Sequence, residues 1–251
     1  MQTLARDQGF EDLWDRAGEA GAPFGPAAVA DLPEAARRYL GHAIAPGTPR
    51  ASAVRLRMHG EIKLGKWRPF IAEEVIVWEH GFIWRARVKL AGLPVTGSDR
   101  WLDGRGSMRW KLLGLLPMMT ADGPDVSRSA LGRLLLEAVW LPSVLCAPSV
   151  EWIARDTTHV DATPSVRGES ARISLAIDEL GALQTVHGQR WGDPDKRGYR
   201  EVPFGGVVEQ ERSFGGYTIP SELRLGWFFG TDRFGDDGEF FRVTLTDAEF
   251  R

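Results

Sequence analysis

Two carboxylates in this sequence stand where carboxylates are costly. Glu137 lies in an apolar run that includes Leu134, Leu135, Leu136, Ala138 and Trp140. Glu74 shares a strand face with Phe70, Ala72, Ile76 and Trp78. A carboxylate stripped of water must find a cation or take up a proton. For Glu137 two readings stand. Arg133, four residues earlier, pairs with it at a solvated helix edge, or Glu137 faces a cavity, with Arg190 and Arg87 as candidate partners. For Glu74 the inward face is open, because Ile71, Val75 and Val77 make the opposite face apolar as well. The third feature is a set of tryptophans, Trp84, Trp101, Trp110, Trp140 and Trp227. They read either as sheet core or as the aromatic wall of a cavity for an apolar or planar ligand. The candidate ligand-binding residues are therefore Glu74, Trp84, Trp101, Trp110, Glu137, Trp140, Arg190 and Trp227.

The familiar catalytic and metal patterns are missing. Gly60 to Lys66 spells G-x-x-x-x-G-K, but Trp67 replaces the Ser or Thr of a phosphate loop, and the segment lies in an alternating strand. Gly104-x-Gly106 lacks a third glycine and reads as a turn. No G-x-S-x-G elbow occurs. The 5 histidines, at 42, 59, 80, 159 and 187, show no H-E-x-x-H or H-x-H spacing. Cys146 is the only cysteine, which rules out an intrachain disulfide and a cysteine-based zinc site within one chain, and it reads as a packed small hydrophobe. No catalytic residue, metal or cofactor is assigned.

The composition is that of a globular protein, with 251 residues, 43% hydrophobic and 26% charged. A net charge of -3 and a pI near 6.0 give no electrostatic footprint for nucleic acid. No apolar stretch reaches the roughly 18 residues of a spanning helix. Met1 to Gly9 is polar and lacks the pattern of a signal peptide, so the expectation is a cytoplasmic protein without a membrane span. There are 10 Trp against 3 Tyr. Arginine dominates the 31 basic residues, lysine occurring only at 63, 66, 89, 111 and 196.

These side chains need a scaffold, and the periodicity supplies one. Phe10, Leu13, Trp14 and Ala17 predict a first helix, stopped at Gly18. A second runs from Pro33 to Leu40, with Asp31 as N-cap and Gly41 past its end. The period then changes to two. Val54, Leu56, Met58, Ile62 and Leu64 alternate with charged residues, and strands recur at 70–79, 82–90, 95–102 and 108–112. A helix near 127–141, apolar on almost every side, interrupts them. Strands resume at 150–154, 173–177, 183–191, 207–214, 223–229 and 240–245. The short turns between them require antiparallel pairing. The expected fold is mainly β (α+β), about ten or eleven strands in a large curved antiparallel sheet. This half-barrel or barrel is covered by the central helix and the N-terminal helices. One domain spans 1–251, with a helical segment at 1–48 and the sheet at 50–250. Such a shape leaves a ligand cavity between sheet and helices.

Several segments carry a resemblance. They include Leu32 to Leu40, Trp67-Arg68-Pro69-Phe70, Gly81 to Arg87, Gly104-Arg105-Gly106 and Leu136 to Pro142. Later ones are Val150-Glu151-Trp152, Arg190, Gly216 to Pro220 and Trp227. Together they resemble an uncharacterised bacterial family of unknown function over about residues 32–250. Glu211 to Phe214 followed by Gly-Tyr-x-Ile-Pro is similar in shape to bacterial lipoprotein-carrier half-barrels. That resemblance implies acyl chains held between a curved sheet and helices, although the export signal of those proteins is missing here.

Three functions follow. The first is non-catalytic binding of a hydrophobic small molecule or lipid. The second is an enzyme acting on such a molecule, with Glu137 or Glu74 as acid/base and an arginine as anion anchor. The third is an interaction or structural protein with a filled core, in which the apolar run Leu112 to Met119 contacts a partner or a membrane surface.

Overall fold

The computed structural model describes residues 8–251; residues 1–7, most of the polar start read above, lie outside them. Thirteen antiparallel strands form one curved, unclosed sheet. In chain order they are β1 (Ala53–Leu64), β2 (Lys66–Val77), β3 (Gly81–Leu90), β4 (Leu93–Leu102), β5 (Arg105–Leu112), β6 (Leu116–Asp122) and β7 (Glu151–Ala154). They continue with β8 (His159–Thr163), β9 (Ile173–Ile177), β10 (Leu183–Gly192), β11 (Arg200–Phe214), β12 (Tyr217–Trp227) and β13 (Glu239–Phe250). Two further two-stranded ribbons pair Gly21–Pro23 with Pro49–Arg50 and Ser165–Val166 with Glu169–Ser170.

Alternation sets the faces. Val54, Leu56 and Met58 of β1 are buried, while the alternating Arg57 and His59 are exposed. Sequence neighbours pair as hairpins throughout, and β1 also pairs with β13, placing Val54 opposite Phe250. The sheet is thus a meander whose single break falls between its edges, β6 and β7. The chain between those edges contains helix α3 (Pro124–Leu136), which packs against β4 and β5 on one side and β10 on the other. The helix occupies the gap through which the sheet would have closed.

Expected and observed elements differ in detail. The central helix is shorter than 127–141. After Leu136 the chain tightens into 3-10 turns at Glu137–Trp140 and Pro142–Cys146. Leu141 between them has φ -134 and ψ 61, a non-helical conformation in keeping with the steric demand of Pro142 on its predecessor. Helix α2 (Glu34–Ala43) continues through Gly41, and Pro33 stands at its N-cap instead of Asp31. Periodicity missed β6, whose Leu116, Met118 and Met119 are exposed, and the five-residue β8.

The two N-terminal helices divide between the faces of the sheet. α2 buries Ala36, Tyr39 and Leu40 in the main core on the concave side. Helix α1 (Gln8–Trp14) lies on the convex side, where Phe10, Leu13 and Trp14 cover Ala53, Val75, Val77 and Ile83. This corrects the expectation that the N-terminal helices together cover the cavity. It also explains why β2 is apolar on both faces: Phe70, Ala72 and Ile76 face the concave core, and Val75 and Val77 face α1.

Candidate functional site

Between the concave face and α3 lies a cavity of about 590 Å³, within the range of small-molecule sites. Its core is therefore not filled. Trp84, Trp110, Trp140, Trp227, Phe204 and Phe241 form aromatic walls, and Met58, Val88, Val95, Leu136, Val186 and Leu223 complete the apolar lining. The cavity runs along the strands. On β3 it extends from Trp84 to Leu90, a rise of about 20 Å at strand spacing. Its mouth lies at the end of the sheet holding the β1–β2, β3–β4 and β5–β6 turns, with Leu64, Leu90 and Met118 at the rim.

The walls depend on glycines that carry no side chain beneath the rings. Trp110 lies over Gly97 of β4, its register partner. Trp227 lies over Gly192 of β10. At the far side Gly106 lets the start of α3 cross β5, and its N–H donates to Ser127 Oγ at 2.8 Å. Gly104 makes the turn together with Asp103, at φ 94 and φ 48. Gly60 sits inside β1, opposite Val243 and Phe70, and Gly65 makes the turn to β2, so the G-x-x-x-x-G-K segment is a hairpin.

A charged cluster sits at the deep end. Arg133 of α3 donates from Nη2 to Glu74 Oε1 at 2.6 Å and from Nε to Glu137 Oε1 at 2.5 Å. Its Nη1 lies 3.8 Å from Asp99 Oδ2, and Trp110 Nε1 donates to Asp99 Oδ1 at 3.1 Å. The guanidinium rests over the rings of Phe82 and Trp84, 4.6 and 5.5 Å from their centres. Glu74 is 0% exposed. Burial pushes its carboxyl well above the ordinary carboxylate range, against the pull of Arg133. Burial also raises Asp99 and Glu137, again opposed by Arg133. Burial disfavours the charge of Arg133 itself, but Glu137, Glu74 and Asp99 together hold it above the usual arginine value. Three acids, Glu74, Glu137 and Asp99, thus share the deep end with two arginines, Arg133 and Arg190.

Arg190 of β10 differs from Arg133. Its Nε donates to Ser129 O at 3.1 Å, and its guanidinium lies 4.6 and 5.0 Å from the ring centres of Phe204 and Trp227. Its Nη groups have no hydrogen-bond partner among the described residues. Burial, then the charge of Arg133, pushes it down to about 10. Arg190 is therefore a cation with donors to spare on an apolar wall. Glu74 Oε2, Glu137 Oε2 and Trp84 Nε1 are buried without a partner among the described residues.

Seven of the eight sequence-selected residues line this one cavity. Glu137 pairs with Arg133, but the pair is buried in the cavity lining and not at a solvated helix edge, which corrects the first reading of Glu137. Arg87, the other candidate partner, projects from the opposite face of β3, between Ala86 and Val88. Trp101 is a correction. It is buried on the far side of α3 and borders a wider, polar groove of about 1180 Å³ with Leu131, Leu135 and Trp191. Sequence reasoning missed Asp99, whose strand neighbours give no hint of burial. Cys146 is buried, and burial pushes its thiol up to about 11. Among the described residues no cluster of His, Cys, Asp and Glu is arranged to hold a metal.

Residues 30–250 match a family described as "Family of unknown function (DUF6920)", in agreement with the membership read over residues 32–250. No curated protein matches the chain. Two solved structures are similar in outline. One is a LolA superfamily protein from Nitrosomonas europaea, at TM-score 0.46 and 8% identity, covering 86% of this chain and 92% of that one. The other is a domain described as an outer membrane lipoprotein-sorting protein, from Vibrio parahaemolyticus. It matches at TM-score 0.40 and 7% identity, covering 80% of this chain and 86% of that one.

Proposed function

We propose that this chain, which belongs to the family of unknown function DUF6920, binds one apolar molecule with a polar head in the cavity between sheet and α3. The observation that carries this reading is a long apolar cavity with a buried cluster of acids and arginines at its closed end. The tail lies between the tryptophan walls and runs toward the mouth. The head lies at Arg190, with Trp84 Nε1 and the free oxygens of Glu74 and Glu137 within the same pocket. An anionic head suits Arg190, because an ionised partner roughly doubles a hydrogen bond's strength. A fatty acid or similar amphiphile has this chemistry.

A second reading takes support from Glu74. A carboxyl raised above its ordinary range by burial, here against the pull of Arg133, is a common setting of a general acid. The bound molecule would then be a substrate, and Glu74→Gln would abolish its conversion while preserving its binding.

The test is mass spectrometry of the purified protein, native and after solvent extraction, with titration of a fluorescent fatty acid into extracted protein. The expected result is a stoichiometric apolar compound or saturable probe binding, weakened at least tenfold in Arg190→Met. An empty protein that also fails to bind the probe would overturn the proposal. Unchanged affinity in Arg190→Met would remove the head from Arg190.

A further inference from the structure

Nine large apolar side chains stand exposed among the described residues, and all but Leu180 lie at or beside the cavity mouth. Leu113, Leu115 and Leu116, in and beside the β5–β6 turn, are 51%, 79% and 60% exposed. Leu64 precedes the β1–β2 turn, and Leu93 follows the β3–β4 turn. Three neighbouring hairpin tips thus project leucine into water, where a monomeric protein seldom gathers apolar surface.

The lysines share this distribution. The chain has only five, at 63, 66, 89, 111 and 196. Lys63 and Lys66 flank the first tip, Lys89 and Lys111 end strands at the second and third, and Lys196 lies in the β10–β11 loop at the same end. Across the mouth the two remaining loops bring acids, and arginines offset several of them. Asp195 pairs with Arg200 at 2.8 Å and Arg233 at 3.3 Å, and Asp237 with Arg233 at 3.5 Å. The β1–β6 side of the mouth is therefore apolar at its tips and basic just behind them.

We infer that these three hairpin tips dock the mouth of the cavity onto an anionic lipid bilayer, the leucines entering the interface and the lysines meeting the headgroups. Apolar projections backed by basic side chains are the combination that binds an anionic membrane surface. A second copy of the chain fits less well, because a two-fold contact through the tips would press this lysine-bearing face against its own like-charged copy. The tips stand as separate projections around an opening, a shape suited to a fluid layer. No described helix is long and apolar enough to cross a membrane. The docking does not depend on the identity of the cavity's ligand.

The experiment is flotation with vesicles of phosphatidylcholine alone and of phosphatidylcholine with phosphatidylglycerol, at low and high salt. Binding is expected only to the anionic vesicles, weakening as sodium chloride rises and screens the lysines. The triple change Lys66→Glu, Lys89→Glu and Lys111→Glu should lose binding, at about fivefold or more per lysine. Leu115→Ser with Leu116→Ser should lose it without charge change. These side chains are exposed, and unchanged thermal unfolding would show that the variants fold. Three outcomes would overturn the inference: equal binding to both vesicles, no binding to either, or a concentration-dependent dimer in sedimentation that Leu115→Ser dissolves. The wild-type salt series tests it without any variant.

Discussion

The indole of Trp110 lies flat across Gly97, so that a methyl group at Gly97 would come within 2.2 Å of its Cδ2. The two residues are register partners on adjacent strands, and this contact sets one wall of the cavity. Gly97→Ala must displace the ring and break the Trp110 Nε1 hydrogen bond to Asp99. The expected cost is about 1–3 kcal/mol, as for other overpacked sites. Urea unfolding measures that cost. Probe titration should show a weaker or lost site in the same variant, whereas an intact site would mean that Trp110 does not shape it.

The buried acids predict an unusual pH profile. Glu74 has a folded-state value raised well above 4.5. Below about pH 4.5 it is protonated folded and unfolded, and its contribution to stability is fully present. As pH rises the unfolded chain ionises first, so stability falls until the pH passes the raised folded value. Asp99 and Glu137 act with the same sign. His187, lowered by burial, acts oppositely near its own ordinary value of 6.5. Glu74→Gln isolates the first contribution. Its urea midpoint should gain on wild type between pH 5 and pH 8, and parallel profiles would contradict the assignment.

Arg133 holds three acids at once, so its removal should be severe. Arg133→Met leaves Glu74, Glu137 and Asp99 facing one another without their common cation. A loss of about 3–5 kcal/mol is expected at pH 7, the usual cost of leaving a buried charge unpaired. The loss should shrink at pH 5, where the acids accept protons. Denaturant unfolding at the two pH values checks both statements.

The convex face offers a control. Trp14 is buried there on β2 and β3, with the guanidinium groups of Arg55 and Arg251 each 4.8 Å from its ring. Trp14→Ala should destabilise by about 3–5 kcal/mol, as large aromatic truncations do. It should leave probe affinity unchanged under native conditions, because α1 and the cavity lie on opposite faces of the sheet. A weakened site in the folded variant would show that α1 supports the cavity after all.

Cys146 predicts slow chemistry. Its thiol is buried and pushed up to about 11, so it should react with a thiol reagent at pH 8 far more slowly than an exposed cysteine. Labelling should speed up only in denaturant. Rapid native labelling would instead mark a locally open 142–146 segment.

By itself the sequence determined the antiparallel sheet, the interrupting helix and the apolar strand faces, because periods of two and of 3.6 are local properties. It also picked out Glu74 and Glu137, since a carboxylate inside an apolar pattern is a local anomaly. Which face of β2 turns inward stayed open, because both faces are apolar, and only the packing of α1 on Val75 and Val77 resolved it. Asp99 and Arg133 became one cluster with Glu74 only when the meander brought β2, β4 and α3 together. Trp101 and Trp110 look alike in sequence, yet α3 runs between them and puts one in a polar groove and the other on the cavity. The five lysines were a bias of composition until alternate turns of an antiparallel sheet carried them to one end. Local pattern fixes how a segment folds and which side chains share a face. Long-range pairing decides which faces meet, and a cavity, a charge cluster or a mouth exists only where they do.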